Sequence, residues 1–160
     1  MATFSVKSLL RLGTCDPRLQ DIAKAALEIC SVDFGIACGW RGEAEQNDAV
    51  RRKLSKTPWP TSNHNNMVGS EACSLAVDVL PYLRGRDLFS LSDLPKTDPN
   101  RPSDAEIEAA FRAVWDAFQS VAQKMGVRLR WGGDWDGDGK TRSQGDADER
   151  FVDLPHIEIR

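Results

Sequence analysis

The sequence predicts an α+β fold, a small single domain with helices packed on a mainly antiparallel sheet. Three observations carry that expectation. Leu19 to Ile29 and Ile107 to Val121 place apolar residues at helical spacing. Short apolar or alternating runs bounded by Gly, Pro and Asx residues recur between and after these stretches, at 34–38, 75–80, 127–131 and 155–159. A length of 160 residues, 41% apolar and 28% charged, suits one ordinary globular domain over residues 1–160, with no repeats and no linker.

The elements follow in chain order. Asp16 can cap a helix, Pro17 suits its first turn, and Leu19, Ile22, Ala23, Ala26, Leu27 and Ile29 form its apolar face, ending before Asp33. Phe34 to Cys38 reads as a short strand that feeds a turn at Gly39. A second helix is expected from Glu43 to about Leu54. The prolines and Asx residues from Thr57 to Asn66 make that stretch a loop. Leu75 to Leu80 reads as a strand stopped by Pro81, and Gly85 to Pro102 as irregular and polar. Ser103 or Asp104 then caps a long helix to about Met125, closed by Gly126, with Phe111, Val114, Trp115 and Phe118 expected in the core. Val127 to Trp131 alternates like a strand, a Gly/Asp-rich loop spans 132–149, and Pro155 to Ile159 is the last strand.

Composition narrows the function. A net charge of -3, from 21 basic and 24 acidic residues, gives no basis for wrapping nucleic acid. The four cysteines, at 15, 30, 38 and 73, match neither a CxxC knuckle nor a dense disulfide framework, so a reduced site of synthesis is expected. No run reaches the roughly 20 apolar residues of a membrane span, so no membrane insertion is expected. The start, MATFSVKSLL, lacks the long apolar region of a signal peptide.

The chain has two histidines, and both keep unusual company. His64 ends a Pro/Ser/Asn loop, and His156 follows Pro155 three positions after Asp153. Asp78 sits inside an apolar strand, where a carboxylate faces either solvent or something that balances its charge. Two His and one Asp that leave a fourth position open make a sound catalytic zinc set. Zinc would bring the pKa of a bound water down to roughly 7. The competing reading makes His64 a loop residue and His156 a strand-end packing residue, and no HExxH pattern decides between them.

Longer motifs do. Ser62-Asn63-His64, Ala76-Val77-Asp78 and Asp153-Leu154-Pro155-His156 resemble the SxH, AxD and (D/E)xxH pattern of the LAS zinc metallopeptidases. That family includes D,D-carboxypeptidases, VanY-type enzymes and the L-alanyl-D-glutamate peptidases of phage lysis systems. Asp16-Pro17-Arg18-Leu19-Gln20, Gly39-Trp40-Arg41-Gly42 with Gln46, and Leu129 to Trp135 are similar to the phage endolysin branch. The resemblance implies a Hedgehog/D,D-peptidase-like fold, with His64, Asp78 and His156 as zinc ligands. It implies Asp153 as the general base that moves a proton from the attacking water to the leaving amine. Arg41 is implied near the substrate or the oxyanion, with Ser62, Trp131 and Asp134 close to the substrate. The expected activity is cleavage of the L-alanyl–D-glutamate bond in peptidoglycan stem peptides, serving host lysis. The alternatives are a D,D- or L,D-carboxypeptidase, or a non-catalytic metal-holding protein that binds the wall. A monomer is expected, made in the host cytoplasm and acting on the wall once released through the inner membrane.

Two features depart from the pattern. The step from His64 to Asp78 is longer than the family's usual one, so Asn65 to Cys73 reads as an enlarged loop beside the cleft, with Glu71 or Cys73 as competing ligands. Asp134, Asp136 and Asp138, followed by Gly139, resemble the first half of a calcium loop, a second cation site that Asp146 or Asp148 could complete. Gly145 stands where an EF-hand needs Glu, which excludes a full one.

Overall fold

The computed structural model describes residues 3–145 and 151–160. Helices α1 (Val6–Leu12) and α2 (Pro17–Ile29) precede strand β1 (Phe34–Cys38) and helix α3 (Glu43–Arg51). A 3-10 turn (Asn63–Asn65) leads to a hairpin, β2 (Met67–Val68) and β3 (Glu71–Ala72). Strand β4 (Ala76–Leu83), strand β5 (Arg86–Asp87), helix α4 (Leu88–Ser92) and helix α5 (Asp104–Lys124) follow, then strands β6 (Leu129–Trp131) and β7 (His156–Ile159).

The main sheet is antiparallel, ordered β1-β4-β7-β6, with β5 folded back on β4. One face carries the core. Phe34, Ile36, Val77, Val79 and Ile157 pack there against Leu19, Ile22 and Ala26 of α2 and Phe111, Val114 and Phe118 of α5. Period-2 alternation sends the residues between them to the opposite face. The expected helix caps are in place: the Asp16 side chain accepts the Arg18 N–H, and Ser103 caps α5 through a reciprocal box with Glu106. Trp115 is only partly buried, and its ring stacks on Trp131 with centroids 6.0 Å apart.

Three sequence expectations need correction. Pro81 does not stop β4, which runs to Leu83. Tyr82 N–H donates to Asp33 and Val79 N–H to Pro155, so the nitrogen of Pro81 points to the β7 side, beyond the point where β7 begins. The missing N–H therefore costs no ladder bond. The stretch after Gly85 is not wholly irregular, because Asp87 accepts the Ser90 N–H and starts α4, burying Leu88 and Leu91. The enlarged loop contains the β2–β3 hairpin, turned at Gly69 with φ +61°. Helix α1 has no counterpart in the sequence reading, since Val6 and Leu10 are exposed and no clean apolar stripe marks it. It covers the edge of β1: Ser8 Oγ accepts the Ile36 N–H, and Arg11 donates to the Ile36 carbonyl.

Candidate metal centre

Sheet register builds the site. On the face opposite the core, Asp78 of β4 pairs with Cys38 of β1 on one side and His156 of β7 on the other. Glu158, two residues along β7, takes the same face and pairs with Arg130 of β6. Cys38 is there because of a bulge. Plain alternation from Ile36 would turn it into the core, but the register shift between Ile36 and Cys38 moves it across.

His64 arrives from the loop. Ser62 Oγ accepts the His64 N–H at the start of the 3-10 turn, and the His64 carbonyl accepts the Arg41 N–H at 2.9 Å. The ring's Nδ1 lies 2.6 Å from the Gly39 carbonyl and must donate to it, because a carbonyl only accepts. Gly39 is required at that turn, since a Cβ would meet the Arg11 carbonyl at 2.3 Å. At the other histidine, Nε2 lies 2.9 Å from Glu158 Oε2 and donates to that carboxylate.

Both free nitrogens therefore face inward with Asp78 Oδ1. His64 Nε2 lies 3.1 Å from that oxygen and 3.2 Å from His156 Nδ1, which is itself 3.3 Å from the oxygen. Three electron pairs converge with no proton assigned between them, so the site demands a cation. An ion held tetrahedrally at zinc distances separates its donors by about 3.3 Å, so this triangle fits one with little adjustment. Without a metal, the same field attracts protons. Burial alone would lower the pKa of His64, but the Asp78 carboxylate outweighs it and raises it to about 10. Burial opposes the charge on Asp78 too, yet the two histidines hold its pKa well below the usual carboxylate range.

The triangle is braced from behind. Glu158 is buried, takes hydrogen bonds from His156, Asn63 and Arg130, and is held at about 2 although burial alone would raise it. Such a carboxylate fixes the tautomer and ring angle of a ligand histidine. Arg41 donates to Asp78 Oδ2 at 2.8 Å and to Gln46 at 3.1 Å. It is thus no surface ion pair: one guanidinium steadies the carboxylate whose other oxygen faces the centre.

Asp153 is positioned by the backbone on both sides of it. Its N–H donates to the Gly132 carbonyl at 2.7 Å, and its own carbonyl accepts from His156 N–H. Burial and then the neighbouring Asp78 carboxylate push its pKa up to about 6, against the two histidines and Arg41. Asp153 and Arg41 both border two cavities, one of about 460 Å³ on the His64 side and one of about 690 Å³ beneath α3 and α4. The two cavities share Arg41, Leu54 and Asp153 in their walls and so lie side by side as two lobes.

The other predicted residues fall into different places. Ser62 lines the first lobe and also caps the turn that carries His64. Trp131 is buried behind the site, with its indole N–H on the Leu154 carbonyl at 2.7 Å, and borders neither lobe. Asp134 likewise lies outside both lobes. Its carboxylate accepts the N–H groups of Gly137, Asp138 and Gly139, closing the turn on itself. Asp134, Asp136 and Asp138 do bring oxygens within 4.8 Å of one another. Their suggested helpers, Asp146 and Asp148, lie outside the described residues. Glu71 and Cys73 join no ligand cluster among the described residues, whereas Cys38 does, with His64 and Asp78. Sequence reasoning missed Cys38 and Glu158. For Glu158 the signal was present, as an acidic residue two positions after His156 in an alternating strand.

Comparison with known proteins points to one family. The chain matches the model of the phage L-alanyl-D-glutamate peptidases over residues 1–95 and 94–160. The L-alanyl-D-glutamate peptidase of Escherichia phage T5 is 34% identical over 138 residues, 85% of this chain and 83% of that protein. Among solved structures, the L-Ala D-Glu endopeptidase ChiX of Serratia marcescens has a TM-score of 0.64 at 20% identity. That alignment covers 99% of this chain and 90% of that one, a likeness of fold.

Proposed function

The chain belongs to the phage L-alanyl-D-glutamate peptidase family, and on that premise we propose that it is a zinc endopeptidase cutting the L-alanyl–D-glutamate bond of peptidoglycan stem peptides. The observation that carries the metal reading is the triangle of His64 Nε2, His156 Nδ1 and Asp78 Oδ1, with each histidine's other nitrogen tied to an acceptor. Two imidazoles and one carboxylate favour zinc over the hard, all-oxygen cations. The acidic turn at Asp134, Asp136 and Asp138 gives calcium no comparable support, because its first carboxylate is taken up by backbone donors.

His64, Asp78 and His156 would hold the ion. When bound, zinc supplies Lewis acidity, making water a ready nucleophile near neutral pH and polarising the scissile carbonyl. Asp153 takes the proton of the attacking water as the new C–O bond forms. It then delivers that proton to the departing D-glutamate nitrogen as the C–N bond breaks. A base needs a pKa near its working pH, and the burial that lifts Asp153 serves that end. Arg41 holds Asp78 in place and brings positive charge to the junction of the lobes, where an oxyanion would develop.

A role in host lysis fits synthesis in the host cytoplasm, with the wall reached once the inner membrane is opened. Among the described residues no helix is long and apolar enough to cross a membrane. Digestion of purified wall followed by mass spectrometry tests the reading. New L-alanine carboxyl termini on the glycan side are expected, and release of free D-alanine in their place would assign a carboxypeptidase instead.

A further inference from the structure

The two lobes of the cleft differ in charge. Beneath α3 and α4 the second lobe is walled by apolar side chains such as Leu88, Phe89, Ile107 and Val152. Both of its cations have carboxylate partners: Arg41 is paired with Asp78 at 2.8 Å, and Arg52 shares Asp48 with Arg51. Its acid Glu45 caps Gly42. The first lobe is lined with hydroxyl groups, from Ser55, Thr57, Thr61 and Ser62, and carries Lys56 and Arg130. Arg130 is paired with Glu158. Lys56 makes no ion pair among the described residues, and its ammonium lies 4.5 Å from the centre of the Phe151 ring.

That ring places the lysine relative to the chemistry. Phe151 stacks beside Trp135 at 6.3 Å, and Trp135 lies against the His156 ring at 5.4 Å. A ladder of rings thus runs from a metal ligand along the lobe wall to a cation at its outer end. Arg130 lies over Trp135 at 5.0 Å and stiffens the middle of the ladder.

The substrate has the matching asymmetry. On the L-alanine side of the scissile bond lies a neutral lactyl–glycan link. On the other side D-glutamate continues through its γ-carboxyl, which leaves its α-carboxylate free, and the stem's terminal carboxylate lies farther on. Resting on the peptidase assignment above, we propose that the Lys56 lobe receives the acidic, leaving side of the stem peptide, and that Lys56 is the specificity residue that pairs with a carboxylate there. The apolar lobe takes the opposite side. Asp153, at the junction, stands between the two, where it can hand a proton to the departing nitrogen.

The test uses the zinc-loaded enzyme and three peptides: N-acetyl-L-Ala-γ-D-Glu-L-Lys-D-Ala, its D-glutamate α-amide, and its C-terminal amide. An ammonium–carboxylate pair at an exposed lysine such as Lys56 is worth about two- to fivefold in binding. Amidating one of the two carboxylates is therefore expected to raise KM by that factor in the wild type, less so at high salt. Lys56→Gln should abolish the difference between the acid and that amide, while Lys56→Arg should keep it. Equal KM for all three peptides in the wild type, or an undiminished difference in Lys56→Gln, overturns the proposal. Failure of the wild type to cut any of them after L-alanine is a separate result, one that removes the peptidase assignment itself.

Discussion

At the scale of single residues, the choice of nitrogen decides the chemistry. His64 is free at Nε2 because Gly39 holds Nδ1, and His156 is free at Nδ1 because Glu158 holds Nε2. The ligand types could be read from the motifs, but these assignments could not, since they depend on partners far away in the chain. Asp153 was readable too, as the acid three positions before His156, yet its raised pKa comes from burial and from Asp78. In its proposed role as base it must be unprotonated, so activity is expected to fall as pH drops through its pKa. That value is about 6 before an ion binds, and a nearby dication lowers it, so the acid limb of kcat/KM is expected at or below about 6. Asp153→Asn should reduce kcat by about 10²- to 10⁴-fold while zinc stoichiometry stays at the wild-type level. Loss of the metal in that variant would move Asp153 from base to ligand.

At the scale of elements, the strands were legible wherever a clean alternation reached the core, as at Val77 and Val79. Sequence reasoning failed where an element broke its own period. The bulge in β1 turns Cys38 onto the metal face, and an edge position lets Pro81 sit inside β4. The segment that carries Asp153 shows how closely such geometry is held. Gly132 lies against it, and a Cβ there would stand 2.2 Å from the Asp153 carbonyl oxygen and 2.9 Å from its Cβ. Both neighbours belong to the chain that also fixes His156, so neither can yield cheaply. Gly132→Ala is therefore expected to destabilise the fold by roughly 2 kcal/mol or more and to lower kcat well beyond what the remaining folded fraction explains. Thermal denaturation read beside kcat checks this, and a variant with wild-type stability and rate would refute the close packing.

For the whole molecule, folding creates an electrostatic well that a proton or a metal can fill. In the metal-free protein the pKa of His64 is raised from 6.5 to about 10, so its stabilising protonation is complete below about 6.5 and is lost as pH rises toward 10. An ion must displace that proton. Zinc binding at neutral pH should thus release protons, seen by calorimetry as a binding heat that depends on the ionisation enthalpy of the buffer. The gap in melting temperature between zinc-loaded and chelated protein should widen from pH 6.5 to 9. A gap that narrows over that range would contradict a site filled by competing protons. By itself the sequence determined the α+β class and the major helices and strands, and it named the residues of the proposed ligand set, because periodicity and short motifs are local properties. Tertiary structure alone decided that residues 64, 78 and 156 meet at hydrogen-bond distance, that Glu158 and Arg41 brace them, and that Cys38 joins their face. Those outcomes depend on strand register and on one bulge, and register is a relation between segments that no single segment contains.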